Sequence, residues 1–266
     1  MKFKLKAILL TTCSVGSLIS YPIHALAESN NSVQQTSQKV QIRFVSAQKD
    51  PPIRGKTPPA SEGTGSRGDC LYKQNKPPLT RLVGGKNLHS TLDKHPKFWF
   101  YSPYTREEAP EAEFSLQDGD EEVYQTSFQL PTKPGVFSVS LPSTATELAV
   151  RKKYRWYVDI NCPNAENKSE SSTPASLTGI VERVNASSAL TRDLKAAKTP
   201  VERISIFAKH GIWLNTLTEL AQLRIKEPQN TNLKNIWIEL LSQPEVGLNK
   251  VAQEPIVTIT SFNADN

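Results

Sequence analysis

KYRWYVDINC, residues 153–162, alternates without a break: Tyr154, Trp156, Val158 and Ile160 fall on one side of an extended chain, Arg155, Tyr157, Asp159 and Asn161 on the other. Side chains of a strand point alternately to opposite faces, so this stretch reads as a strand with one face in a core. Cys162 continues the apolar face beyond Ile160.

Working outward, short segments of the same kind recur between turn signals. Leu79–Val83, Lys97–Tyr101, Ala112–Leu116, Val123–Leu130, Val136–Leu141 and Ser176–Val184 read as further strands. Asp118-Gly119 makes a hairpin of the third and fourth, and Pro134-Gly135 turns the chain into the fifth. About seven strands in little more than a hundred residues match a two-sheet antiparallel sandwich. With Trp156 and Cys162 on one face, the expected class is α+β, led by an immunoglobulin-like antiparallel β-sandwich. A small barrel is the alternative topology.

After Val184 the period changes from two to about three and a half. Thr199-Pro200-Val201-Glu202 starts a helix, with Thr as cap, Pro in the first turn and Glu reaching back. Val201, Ile204, Phe207 and Ala208 give it one apolar face, and Gly211 stops it. Trp213, Leu217, Leu220 and Ala221 repeat the spacing up to Pro228, and Leu233, Ile236, Trp237, Leu240 and Leu241 up to Pro244. A shorter helix, Ser188–Ala197, precedes them. Phe207, Leu220 and Pro228 give this small C-terminal helical bundle a weak tetratricopeptide-like character; Ile204, Thr216 and Leu223 depart from that pattern. A bundle this small needs to pack on the sandwich.

The N-terminus reads as an export signal. Lys2, Lys4 and Lys6 precede an apolar run, Ala7–Ser20, then Pro22 and Ala25-Leu26-Ala27, with cleavage expected after Ala27. The run is short for a membrane span, so no transmembrane anchor is expected in the mature chain, which is periplasmic or secreted. The leader carries three lysines and no acid, so the formal net charge of +6 falls to +3 without it, which is ordinary. Nucleic acid is therefore excluded as a partner class.

Residues 28–66 form a disordered or extended linker, polar at first and then rich in Pro and Gly, except for Val40–Ala47, whose alternation suits an edge strand donated to the next domain. The expected division is thus leader 1–27, linker 28–66, β-sandwich 67–184, helical bundle 185–254 and tail 255–266. Cys70 and Cys162, the two cysteines beyond the leader, are expected to pair in an oxidising compartment.

GTGSRGDC at 63–70, FWFYSPY at 98–104, AEFSLQD at 112–118, YRWYVDINC at 154–162 and GIW at 211–213 together resemble the cyanobacterial domain of unknown function 928 family, over roughly residues 60–255. The resemblance implies an exported protein of uncharacterised activity and transfers no catalytic residue.

Candidate sites are few. Arg67-Gly68-Asp69 reads as a turn into Cys70, and the glycosylation triplets at Asn30, Asn167 and Asn185 carry no information in a bacterial chain. The acidic run from Glu107 to Glu122 reads either as a calcium site or as a solvated hairpin tip. Arg151, Lys152, Lys153 and Arg155 form an opposite, basic patch. Trp99, Tyr101, Tyr104, Tyr157, Trp213 and Trp237 are the candidate interaction surface, unless the helices cover those rings. There is no GxSxG, HExxH or phosphate loop, and His89, Asp93 and His95 place no nucleophile beside a base. The expected catalytic, cofactor and metal sets are empty. The leading expectation is a non-enzymatic interaction or structural module with an envelope protein partner. A polysaccharide binder or a hydrolase of envelope polysaccharide is the alternative.

Overall fold

The alternation around Trp156 builds β7 (Lys153–Asn161), with Tyr154, Trp156, Val158 and Ile160 buried and the intervening residues partly exposed or exposed. The computed structural model describes residues 41–46, 70, 73–84, 88–163 and 174–261. The expected leader, Arg67-Gly68-Asp69, Asn30 and Asn167 lie outside them. Over the described residues the fold is mixed α+β with two sheets and four helices, and strands dominate.

All seven expected strands form: β1 (Thr80–Arg81), β3 (Lys97–Ser102), β4 (Glu111–Asp118), β5 (Glu121–Gln129), β6 (Gly135–Ser140), β7 and β8 (Ala175–Arg183). Two others were hidden. β2 (Leu88–Thr91) pairs with β8, and β9 (Thr260–Ser261) pairs with β5. One sheet runs β1-β3-β6 and the other β2-β8-β7-β4-β5-β9. The β2–β8 pair is parallel, so the expectation of purely antiparallel strands is corrected: the larger sheet is mixed. Neither β2 nor β9 announces itself, because LHST and TS carry no alternation and depend on a distant partner strand. The expected tail correspondingly begins with structure: Ile256 bridges Val136, and β9 extends the larger sheet.

The two sheets meet through aromatic rings. Phe98 on β3 packs on Phe114 of β4 and on Trp156 of β7, and Phe128 on β5 packs on Phe137 of β6. Cys70 and Cys162 stand at disulfide distance, with Cα atoms 5.0 Å apart, and tie the chain before β1 to the end of β7.

The helices are α1 (Ser188–Ala196), α2 (Pro200–Lys209), α3 (Trp213–Lys226) and α4 (Thr231–Leu241). Thr199 caps α2 by accepting from the Glu202 N–H at 3.1 Å, while the Glu202 carboxylate reaches one residue past the cap, to the Lys198 N–H at 2.7 Å. Helix α3 packs on α2, α4, β2 and β3; it is buried all round from Trp213 to Thr218, and its last turn is partly exposed or exposed. One continuous apolar core therefore runs from the strands into α2, α3 and α4, and α1 docks through a smaller cluster of Leu190, Phe207 and Ile212.

Asn215 pins the helical layer to the strands. Its side-chain oxygen accepts from the Leu92 N–H at 2.9 Å, and its amide nitrogen donates to Asp93 at 3.1 Å. Among the described residues no helix is long and apolar enough to cross a membrane.

Candidate functional site

The aromatic interaction surface is corrected first. Trp99, Tyr101, Tyr104, Trp213 and Trp237 are all buried, and only Tyr157 is partly exposed. The helices cover the rings: the Trp99 indole donates to Thr218 of α3 at 3.0 Å, and the Trp213 indole donates to the Leu82 carbonyl at 2.9 Å. Burial, and after it the Glu254 carboxylate, pushes the Tyr101 phenol far above its ordinary ionisation range. An apolar helix face and an aromatic strand face each lose more by staying wet than by docking together, so the rings became core.

The charged patches partly answer each other within the chain. Lys152 pairs with Asp118 of the acidic hairpin, which is the first cause of its raised pKa. Among the described residues no group of three His, Cys, Asp or Glu is placed to hold a metal ion, and the acidic side chains of 107–122 are exposed or partly exposed. His95 contacts the Ala145 carbonyl at 3.0 Å, and His89 is buried. Burial, and to a lesser degree the Asp93 carboxylate, raises the Glu219 carboxyl against the pull of Arg203, which grips it at 2.9 and 3.1 Å, while Asn215 holds Asp93. Neither carboxylate lines either cleft described below.

His210, which caps α2, hydrogen-bonds Asp193 of α1 at 2.9 Å. That bond, with Arg192 and Lys209 nearby, holds the Asp193 carboxyl below its usual range. A depressed carboxyl contributes stability above its unfolded pKa and loses it as pH falls through the folded one. Acidification is expected to loosen α1, and Asp193→Asn to flatten that part of the profile. Thermal midpoints of both proteins from about pH 7 down to about pH 3 check this; parallel curves would refute it.

Three features remain that can hold something. The first already does. Gln41–Ser46 runs extended over the helical layer, with Ile42 and Phe44 buried and Val45 exposed. It is no edge strand, which corrects the expectation for Val40–Ala47. Gln243, just past α4, clasps it from one side: its amide donates to the Ile42 carbonyl at 2.6 Å and its oxygen accepts from the Phe44 N–H at 2.9 Å. From the other side the Val45 N–H donates to the Ala208 carbonyl of α2 at 3.1 Å. Phe44 meets Trp213 edge to face at 4.8 Å. This is how a groove reads an extended peptide: backbone bonds for affinity and pockets for alternate side chains. Alternation at Val40–Phe44 marked the segment, but the clasp by Gln243, about two hundred residues on, left no sequence signal.

The second is a cleft of about 560 Å³ between residues 131–133, the end of α3 and residues 255–258. Gly135 makes it possible. A Cβ there would lie 2.7 Å from the Pro255 carbonyl, which accepts from the Val136 N–H at 2.7 Å, and the Val257 N–H returns a bond to Val136 at 2.8 Å. Arg224 and Lys133 line the cleft, and among the described residues no carboxylate does. A smaller cleft beside the start of α1, about 450 Å³, is lined by Arg192 and Lys195 with small polar residues.

The model of a family described as Domain of Unknown Function (DUF928) matches residues 62–256. No curated protein and no solved structure matches the chain.

Proposed function

We propose the following for this chain, which belongs to the Domain of Unknown Function (DUF928) family: it is an exported, non-enzymatic protein-interaction module of the cell envelope, whose helical layer reads extended peptides. The observation that carries the reading is the hold on Gln41–Ser46, where Gln243 and Ala208 bond the backbone while Ile42 and Phe44 are buried. The family match begins at residue 62, so this peptide reaches the helices from outside the matched region.

Export rests on the leader sequence and on the placing of Cys70 and Cys162 at disulfide distance. The cyanobacterial lineage implied by the resemblance belongs to the same proposal, as do the immunoglobulin-like and tetratricopeptide-like descriptions of the two parts. Such likenesses carry no function with them. Burial of the aromatic rings weighs against a flat sugar-binding strip, and the separate partners of Asp93 and Glu219 weigh against a polysaccharide hydrolase.

The test separates the peptide from the body without removing it. A protease site placed within residues 51–60 of the mature protein lets the N-terminal piece be cut free. The piece is expected to stay bound after cleavage and to exchange with a labelled synthetic peptide of residues 39–47. Gln243→Ala, which removes two backbone bonds, is expected to weaken that retention about tenfold. A piece that leaves at once, or retention indifferent to Gln243→Ala, would sink the reading.

A further inference from the structure

The cleft at the end of α3 combines apolar walls with two cations that, among the described residues, no carboxylate pairs. Arg224 lies over the Trp237 ring, 5.1 Å from its centroid, and among the described residues its buried Nη1 has no hydrogen-bond partner. No ion pair holds Arg224 or Lys133 among the described residues, and Lys133 is exposed on its turn. Ordinarily a partly buried guanidinium is matched by a carboxylate, because its desolvation is otherwise uncompensated. Here desolvation lowers the Arg224 pKa with no opposing contribution. Serving the C-terminal dipole of α3 would not need this residue, since Lys226 stands in the same last turn.

The rest of the lining sets the ligand's character. Pro228, Ile225 and Ile256 offer apolar surface, Ile225 being 48% exposed, and Thr132 and Thr258 add hydroxyls. We infer that this cleft binds an acidic peptide segment of a protein partner, with Arg224 and Lys133 on its carboxylates and apolar flanking residues on the proline and isoleucine walls. A free phosphate would leave the walls unused, and sugar hydroxyls would face them unpaired. The inference deepens the interaction-module reading. Its test is independent of the Gln243 clasp, so either can fail alone.

The probe is a fluorescein-labelled acetyl-Leu-Glu-Pro-Glu-Leu peptide, compared by anisotropy with its glutamine counterpart on the intact mature protein. The acidic peptide should bind about tenfold tighter, with Arg224→Gln removing that preference and Lys133→Glu, on an exposed turn, lowering affinity at least as much. Inorganic phosphate at the same concentration should not compete. Equal binding of the two peptides overturns the inference, as does a preference unmoved by Lys133→Glu. Displacement by phosphate alone does so too, because the cleft would then read bare anions.

Discussion

Gly179→Ala is expected to destabilise the protein by about 3 kcal/mol or more, at the upper end of what overpacking a core costs. Gly179 faces Trp156 across the β7–β8 ladder, and an added Cβ would stand 2.3 Å from Trp156 Cζ2 and 2.6 Å from Cε2. A flexible side chain could swing away. The indole has nowhere to go, since it is 2% exposed, with Phe98 and Phe100 at centroid distances of 6.1 and 5.4 Å. The larger sheet must spread or the inter-sheet core must open. Urea unfolding of the single variant measures the loss, and Trp156→Phe in the same chain separates the clash from a backbone effect. The smaller ring should recover part of the stability, giving a non-additive cycle. An unchanged midpoint for Gly179→Ala would mean that Trp156 is less confined than its neighbours indicate.

The second large effect concerns the cysteines. Protein recovered from the cell envelope is expected to begin at Glu28 and to carry Cys70 and Cys162 joined, both visible in its intact mass. Cys162→Ser should then cost about 2 to 5 kcal/mol, since the bond closes a loop with a sequence separation of 92 in the unfolded chain. The location adds to the entropy. Cys70 precedes β1, and Lys73 just beyond it pairs with Glu108, lowering that carboxyl chiefly through the Lys73 hydrogen bond. Without the bridge this edge of the smaller sheet is held by far less. Urea midpoints with and without reductant make the measurement. A chain that keeps its leader and two free thiols, and that ignores reductant, would remove both the bridge and the export proposal.

The seven strands and four helices were legible because each is written locally. Period-two alternation in 153–162 and the Thr199-Pro200-Val201-Glu202 start depend only on neighbours in sequence. The parallel strand β2 was not legible, for the opposite reason. LHST becomes a strand because β8 offers it an edge and α3 covers it, and none of those residues is near it in the chain.

The candidate sites divide in the same way. Sequence listed Trp99, Tyr101, Tyr104, Trp213 and Trp237 as a candidate interaction surface with cover by the helices as the alternative, and only packing could decide for the alternative. The basic cleft left even less trace. Lys133, Arg224 and Thr258 lie far apart in sequence, and the chain beside two of them pairs where Gly135 admits the Pro255 carbonyl.

By itself, then, the sequence determined the α+β class, the order of nearly all its elements, and which face of each is apolar, because periodicity, caps and turns act within a few residues. It also marked Cys70 and Cys162 as the pair to join. The tertiary structure alone decided which apolar faces cover one another, that the aromatic candidates are core, that Gln243 clasps residues 41–46, and that Arg224 lines a cleft. Those outcomes depend on distances between residues tens to hundreds of positions apart, set when packing removes apolar surface from water.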